Sequence, residues 1–190
     1  VENILSMTRI DEGKFEIKKN IEIAEEIVAE AVKRVNQFTN NRNIKIQLPE
    51  EIIVAYVDGL LIKQVIVNLI DNAIRHTKEN SKIEISIEKN ENDVVFKVSD
   101  NGEGIKEENI KNIFDRFYTK SDNKNLEKRG IGLGLAICKS IVLAHGGQIK
   151  AYNNLYGGAT FEFSIPHEER GNTYGIKTTN INSWRRQINL

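Results

Sequence analysis

Apolar and polar positions alternate with a period that changes several times along the chain, and each change marks an element. Ile23, Ile27, Val28, Ala31, Val32 and Val35 recur at helical spacing, which predicts a core helix from Ile21 to about Phe38 with Asn20 placed to cap it. Period two takes over at Ile44, Ile46 and Leu48, and after Pro49 the run Ile53 to Val57 reads as a second short strand. Asp58 can cap the next helix, which opens near Leu60 and runs to Thr77. Ile83, Ile85 and Ile87 alternate, a polar turn follows at Asn90 to Asn92, and Val94, Phe96 and Val98 alternate again, so a hairpin is expected. A short helix from about Lys106 to Ile113 comes next. Leu135, Ile137, Cys138, Ile141, Val142 and Leu143 predict a helix to about Ala144, stopped by Gly146 and Gly147. Strands over Gln148 to Asn153 and Ala159 to Ile165 complete the core.

The two ends differ from this body. Residues 1–14 read as the last turns of an amphipathic helix, with Ile4, Leu5, Thr8 and Ile10 on one side and Gly13 as a stop. A stub of that length cannot bury its face alone, which implies a longer helix upstream. The start at Val1 also suggests a piece of a longer chain. Beyond Pro166, residues 167–190 are polar and lack a period, so a loose tail is expected, with a partner-binding appendage around Trp184, Arg185 and Arg186 as the alternative.

One helix carries an unusual polar face. In Gln64 to Thr77, QVIVNLIDNAIRHT, the residues Gln64, Asn68, Asp71, Asn72 and Arg75 fall within roughly a quarter-turn of arc. The rest of the arc is apolar. An ordinary solvated face would carry Lys and Glu, whereas Asn and Asp weaken a helix interior. Amide and carboxylate oxygens one turn apart suit a hard divalent cation, and Arg75 suits an anion beside it. The stripe therefore predicts a magnesium and phosphate site, against the plainer reading of a solvated face.

Two glycine-rich turns add to it. Asp100 to Ile105, DNGEGI, leaves a strand through Gly102 and Gly104, which let the backbone turn sharply and approach a ligand. Arg129 to Leu135, RGIGLGL, carries Gly130, Gly132 and Gly134 straight into a helix, where N–H groups and helix dipole face an incoming anion. Between them, Phe114 and Phe117 precede the polar run Thr119 to Arg129, which reads as a mobile flap.

Composition narrows the partners without naming them. The 190 residues suit one principal domain with a full core. Basic and acidic residues balance at 27 each, so no overall field favours nucleic acid. No run approaches the ~20 apolar residues of a membrane span, and a soluble domain is expected. The single Cys138 lies on an apolar helical stretch and reads as a buried, inert thiol, which fits a reducing compartment.

The order and spacing of these stretches carry a resemblance. NLIDNAIRHT is similar to the N box, DNGEGI to the first glycine box, IFDRFY to the F box and RGIGLGLAI to the second glycine box of sensor histidine kinases. Residues 15–166 thus resemble the catalytic and ATP-binding domain of that family, within the Bergerat-fold ATPases that include gyrase B and heat-shock protein 90. VDGLLIKQVIVNLIDNAIRHT and RGIGLGLAICKSIVLAHGG look most like the potassium-responsive sensor kinases. Residues 1–14 look like the end of a dimerisation and phosphoacceptor helix with its linker. HEERGN, residues 167–172, echoes a phosphoacceptor pattern only faintly: it follows the domain and lacks the proline.

The resemblance implies an α/β two-layer sandwich, with a mixed sheet of about five strands covered on one face by three helices and a flexible ATP lid. It implies Mg²⁺ and phosphate contacts at Asn68 and Asn72, with Asn72 the direct metal ligand, and a phosphate contact at Arg75. His76 falls near the adenine. Asp100 accepts from the adenine amino group, and Gly102, Gly104, Ile105 and Thr160 complete that wall. Phe114 and Phe117 anchor one end of the lid, and Gly130, Gly132, Leu133 and Gly134 form the other. Asp71 is either the base that polarises an accepting imidazole or the residue that orients metal-bound water. The implied partners are ATP, the chain's own dimerisation and phosphoacceptor domain, a response regulator and a second copy in a homodimer, with no nucleic acid, in the cytoplasmic part of a membrane-anchored sensor. A gyrase- or chaperone-type ATPase and a non-catalytic nucleotide-sensing module are the rival readings.

Overall fold

The computed structural model describes residues 17–39, 42–118 and 132–167. The expected stub over residues 1–14, the flap over 119–129, Gly130 and the tail beyond His167 lie outside the described residues.

The first element departs from expectation. Asn20–Ile23 is a strand, β1, and the helix α1 begins only at Ala24, running to Asn36. The strand wins because it has a partner: β1 pairs antiparallel with β3, Val54–Val57, in register Asn20↔Val57 through Ile23↔Val54. Ile21, expected to open the helix, instead lies on β1 and stays 52% exposed. In α1, Glu25 and Glu26 occupy the first turn and Lys33 and Arg34 the last, so both ends match the helix dipole.

The remaining strands form one mixed sheet. With β2 Asn43–Gln47, β4 Lys82–Lys89, β5 Asp93–Asp100, β6 Gln148–Asn153 and β7 Ala159–Pro166, the order is β2-β4-β5-β7-β6. β2 runs parallel to β4, and the other pairs are antiparallel. Period two decides which side is buried. Ile83, Ile85, Ile87, Val94, Phe96, Val98, Phe161, Phe163 and Ile165 join a single core with the helices, and Phe96 stacks on Phe163 at 4.7 Å between centroids. The opposite side keeps polar pairs in contact with solvent, such as Lys97 with Glu88 and Lys150 with Glu162.

Three helices supply the second layer: α1, the long α2 Gly59–His76, and α4 Gly134–Ala144. Asp58 caps α2 as expected, its Oδ1 accepting from the Leu61 N–H at 3.3 Å. α4 ends in a Schellman motif: the Gly147 N–H donates to Val142 O, the Gly146 N–H to Leu143 O, and Gly146 holds φ at +79°. The short α3 covers only Glu107–Ile110, and turns replace the rest of the helix expected to Ile113. Together these elements form the α/β sandwich of the Bergerat fold.

Candidate nucleotide site

Helix α2 is the element on which the other parts converge. Its buried side, Ile62, Val65, Ile66, Leu69, Ile70 and Ala73, fixes its rotation, so Gln64, Asn68, Asp71 and Asn72 remain half-buried on the other side. Arg75 and His76 are exposed on the last turn. Asn68 lies beside the Cys138 thiol of α4, and its Nδ2 is buried with no hydrogen-bond partner among the described residues. A carboxamide carries nitrogen and oxygen on opposite sides, so an inward Nδ2 turns Oδ1 outward. Cys138 is fully buried and donates to Val65 O at 3.7 Å, and burial pushes its thiol up to about 12, which makes it the inert thiol expected. Burial also raises the Asp71 carboxyl above its ordinary 3.8, against the pull of Arg75 and of Arg34 on α1.

The second wall begins at Asp100, which is 8% exposed at the end of β5. Its Oδ1 accepts from the Gly102 N–H at 2.8 Å and the Ala159 N–H at 3.3 Å. Among the described residues, both hydrogen bonds to this side chain fall on Oδ1, which leaves Oδ2 available as an acceptor. Thr160 is buried next to it on β7, sharing a 2.9 Å hydrogen bond with Ser99. A Cβ on Gly102 would meet Thr77 Cγ2 at 2.9 Å and His76 O at 3.2 Å, so this turn is pressed against the C-terminal end of α2. That end is itself tied down: Thr77 donates to Ala73 O at 2.7 Å, and the Arg42 guanidinium donates to the carbonyls of Ile74, Thr77 and Lys78. Gly104 sits at φ +71°, and Ile105 is half-buried beyond it.

The third part is where residues 118 and 132 come together. The Phe117 N–H donates to Gly132 O at 3.1 Å, and a Cβ on Gly132 would lie 2.8 Å from the Phe117 carbonyl carbon. The two ends of the glycine-to-aromatic segment are thus joined through backbone. Phe114 is buried and packs edge-on against Phe161, but Phe117 is 69% exposed with φ at 62°. Of the two phenylalanines, Phe114 packs into the core and Phe117 does not. Phe117 contributes its main chain, because its left-handed backbone turns the side chain out of the core. Leu133 is buried, and Gly134 opens α4 with nothing within 4 Å of a Cβ there.

The donor set suits the groups that the sequence implies. Among the described residues no three His, Cys, Asp or Glu side chains gather into a metal cluster. Half-buried amide and carboxylate oxygens on one helix face are what Mg²⁺ uses when substrate phosphates complete its shell. Three contributors escaped sequence reasoning. Asn153 and Asn154 grip the Asp100 to Ile105 turn from 48 and 54 residues away. His145 accepts from the Asp58 N–H through Nε2 across 87 residues and lies against Ile141 O through Nδ1. The run YNNLYGGAT carried an Asn and Gly turn signal for the first pair, whereas nothing local points from His145 to Asp58.

Comparison with known proteins agrees with this geometry. The profile of the family described as histidine kinase-, DNA gyrase B- and HSP90-like ATPase matches residues 57–169. The chain belongs to that ATPase family and is a sensor-kinase ATP-binding domain within it. It is 51% identical over 168 residues to the sensor protein KdpD of Clostridium acetobutylicum, covering 88% of this chain and 19% of that one. The chain spans about a fifth of the length of the curated KdpD relatives it matches. The catalytic domain of histidine kinase ThkA superposes with a TM-score of 0.68 at 32% identity, over 78% of this chain and 95% of that domain. The structure of ThkA in complex with the response regulator TrrA matches with a TM-score of 0.68 at 29% identity, over 88% of this chain and 48% of that one. Among the described residues no helix is long and apolar enough to cross a membrane.

Proposed function

We propose that the chain binds Mg-ATP and passes the γ-phosphoryl group to a histidine on the dimerisation domain of an intact sensor kinase. In this reading residues 15–166 are the catalytic and ATP-binding domain, residues 1–14 end the dimerisation helix and linker, and residues 167–190 are a tail. The carrying observation is Asp100: its Oδ1 is spoken for by two backbone N–H groups, and its Oδ2 is left to accept from a base. An adenine amino group donates to that oxygen, whereas guanine would present a carbonyl and leave two acceptors face to face.

Asn72 and Asn68 direct oxygens at the metal position, and Arg75 extends from the next turn toward the phosphates. Asn72 and Asn68 would hold a Mg²⁺ ion there, which would supply charge neutralisation for the phosphates of ATP. The phosphates lie against the backbone of Gly132, Leu133 and Gly134 at the start of α4. Asp71 acts as the base toward the accepting imidazole, a role that its raised pKa supports. The likeness to ThkA, whose structure includes a response regulator, supports such a regulator as the downstream partner; a homodimeric sensor with this domain in the cytoplasm completes the reading.

Calorimetry of the whole chain tests the nucleotide half. ATP should bind with Mg²⁺ and GTP at least about tenfold more weakly, Asn72→Ala should remove the Mg²⁺ dependence, and Asp100→Asn should cost about tenfold or more in ATP affinity. Equal binding of ATP and GTP, or an Asn72→Ala chain with an unchanged metal requirement, would contradict the assignment.

A further inference from the structure

The turn between β6 and β7 carries two asparagines whose side chains reach the Asp100 to Ile105 turn. Asn153 accepts from the Ile105 N–H at 2.7 Å through Oδ1 and donates from Nδ2 to Ile105 O at 2.8 Å. A carboxamide that satisfies both main-chain groups of one residue imitates a neighbouring strand, so Ile105 is held as firmly as in a ladder. Asn154 works one residue further on. Its Nδ2 donates to Asp100 O at 2.8 Å and to Ala159 O at 3.2 Å, while Oδ1 accepts from the N–H groups of Tyr156 and Gly158.

These contacts enclose the Asp100 to Ile105 turn from both ends. Gly104 lies between them, where a Cβ would come within 2.7 Å of both Asn153 Oδ1 and Gly157 O. At Gly158 the approach is closer still, with Asp100 O 2.0 Å from a Cβ. Asn153 is exposed, and Leu155 and Tyr156 at the tip point away from the core at 101% and 88% exposure. The Asn153 side chain is thus committed to the loop that carries Asp100, while Asn154 divides its hydrogen bonds between that loop and its own turn.

We propose that Asn153, seconded by Asn154, is a positioning residue for base recognition: it sets where Ile105 and, through the turn, Asp100 Oδ2 stand relative to the purine. The proposal rests on the reading of Asp100 as the adenine contact. Asn153 touches neither the metal position nor the phosphates, so its removal acts on the base end of the ligand alone. In an unpinned turn Asp100 keeps its acceptor oxygens but loses its fixed place, and the distinction between an amino group and a carbonyl weakens with it.

The test is equilibrium binding of adenosine, ADP, ATP and GTP to the full chain and to Asn153→Ala, each with and without Mg²⁺. The expected result is a loss of about tenfold shared by adenosine, ADP and ATP, with a smaller ATP-to-GTP preference and an unchanged Mg²⁺ enhancement for ATP. Asn153→Asp is the second variant. It keeps size and acceptor but offers no donor to Ile105 O, and it should lose binding in the same pattern. Thermal unfolding of both variants identifies any general loosening, which would lower the Mg²⁺ enhancement along with base affinity and would overturn the proposal. Wild-type adenosine affinity and purine preference in both variants would overturn it alone. A wild-type chain that binds neither adenosine nor ATP would overturn the nucleotide reading itself.

Discussion

His145 illustrates how one buried side chain joins separate parts of the domain. Its Nε2 accepts from the Asp58 N–H at 3.1 Å and its Nδ1 lies 2.8 Å from Ile141 O, an arrangement that only the neutral ring with its proton on Nδ1 can satisfy. Lys19 donates to the His145 carbonyl and the Lys18 N–H to Asp58, so the chain entering β1, the start of α2 and the end of α4 meet here. Burial lowers the imidazole pKa below its ordinary 6.5. The unfolded chain then binds the extra proton first, so stability should fall as pH drops below about 6.5. Urea unfolding at a series of pH values should give a steeper acid loss for the wild type than for His145→Gln; identical slopes would assign the loss to other groups. The same residue marks a limit of sequence reading. Residue type and helical phase single out Asn68, Asp71 and Asn72, and the resemblance of DNGEGI to a glycine box singles out Asp100, whereas the contacts of His145 and Asn153 arise only when chain segments far apart in sequence are brought together.

At the scale of elements, most of the secondary structure follows from period and punctuation. The hairpin of β4 and β5, the capped start of α2 and the glycine stop of α4 lie where local pattern puts them. β1 does not, because Ile23 stands four residues before Ile27 and so continues the helical spacing, and only the partner strand Val54–Val57 decides between the two. The expected aromatic anchor at Phe117 fails for a similar reason: the sequence gives an aromatic residue but not its backbone φ of 62°. Glycines also divide by context. At Gly158 a Cβ would meet Asp100 O at 2.0 Å, so Gly158→Ala should cost about 2 kcal/mol or more in unfolding free energy and displace the Asp100 to Ile105 turn. At Gly134 a Cβ meets nothing within 4 Å, and Gly134→Ala should leave stability equal or raise it by up to about 1 kcal/mol through helix propensity. Chemical denaturation of the two variants checks the pair, and equal destabilisation by both would contradict the packing argument.

For the whole molecule, the layered arrangement explains why a site can be built on so few exposed residues. The sheet fixes β5 and β7, which carry Asp100 and Thr160; the helical layer fixes α2, which carries the Asn and Asp stripe; and the Phe117 N–H donates to Gly132 O, which brings residues 117 and 132 together. Each wall is rigid because its opposite side is core. The central claim is that this assembly transfers phosphate to a histidine outside itself. It is tested by incubating the chain with γ-labelled ATP, Mg²⁺ and a separately produced histidine-bearing dimerisation domain from a related sensor kinase, then assaying for acid-labile, base-stable phosphohistidine. The account predicts label on that domain with the wild type and none with Asn72→Ala. ATP bound by the wild type with no phosphohistidine formed, or released phosphate at the same rate with and without the acceptor, would contradict it.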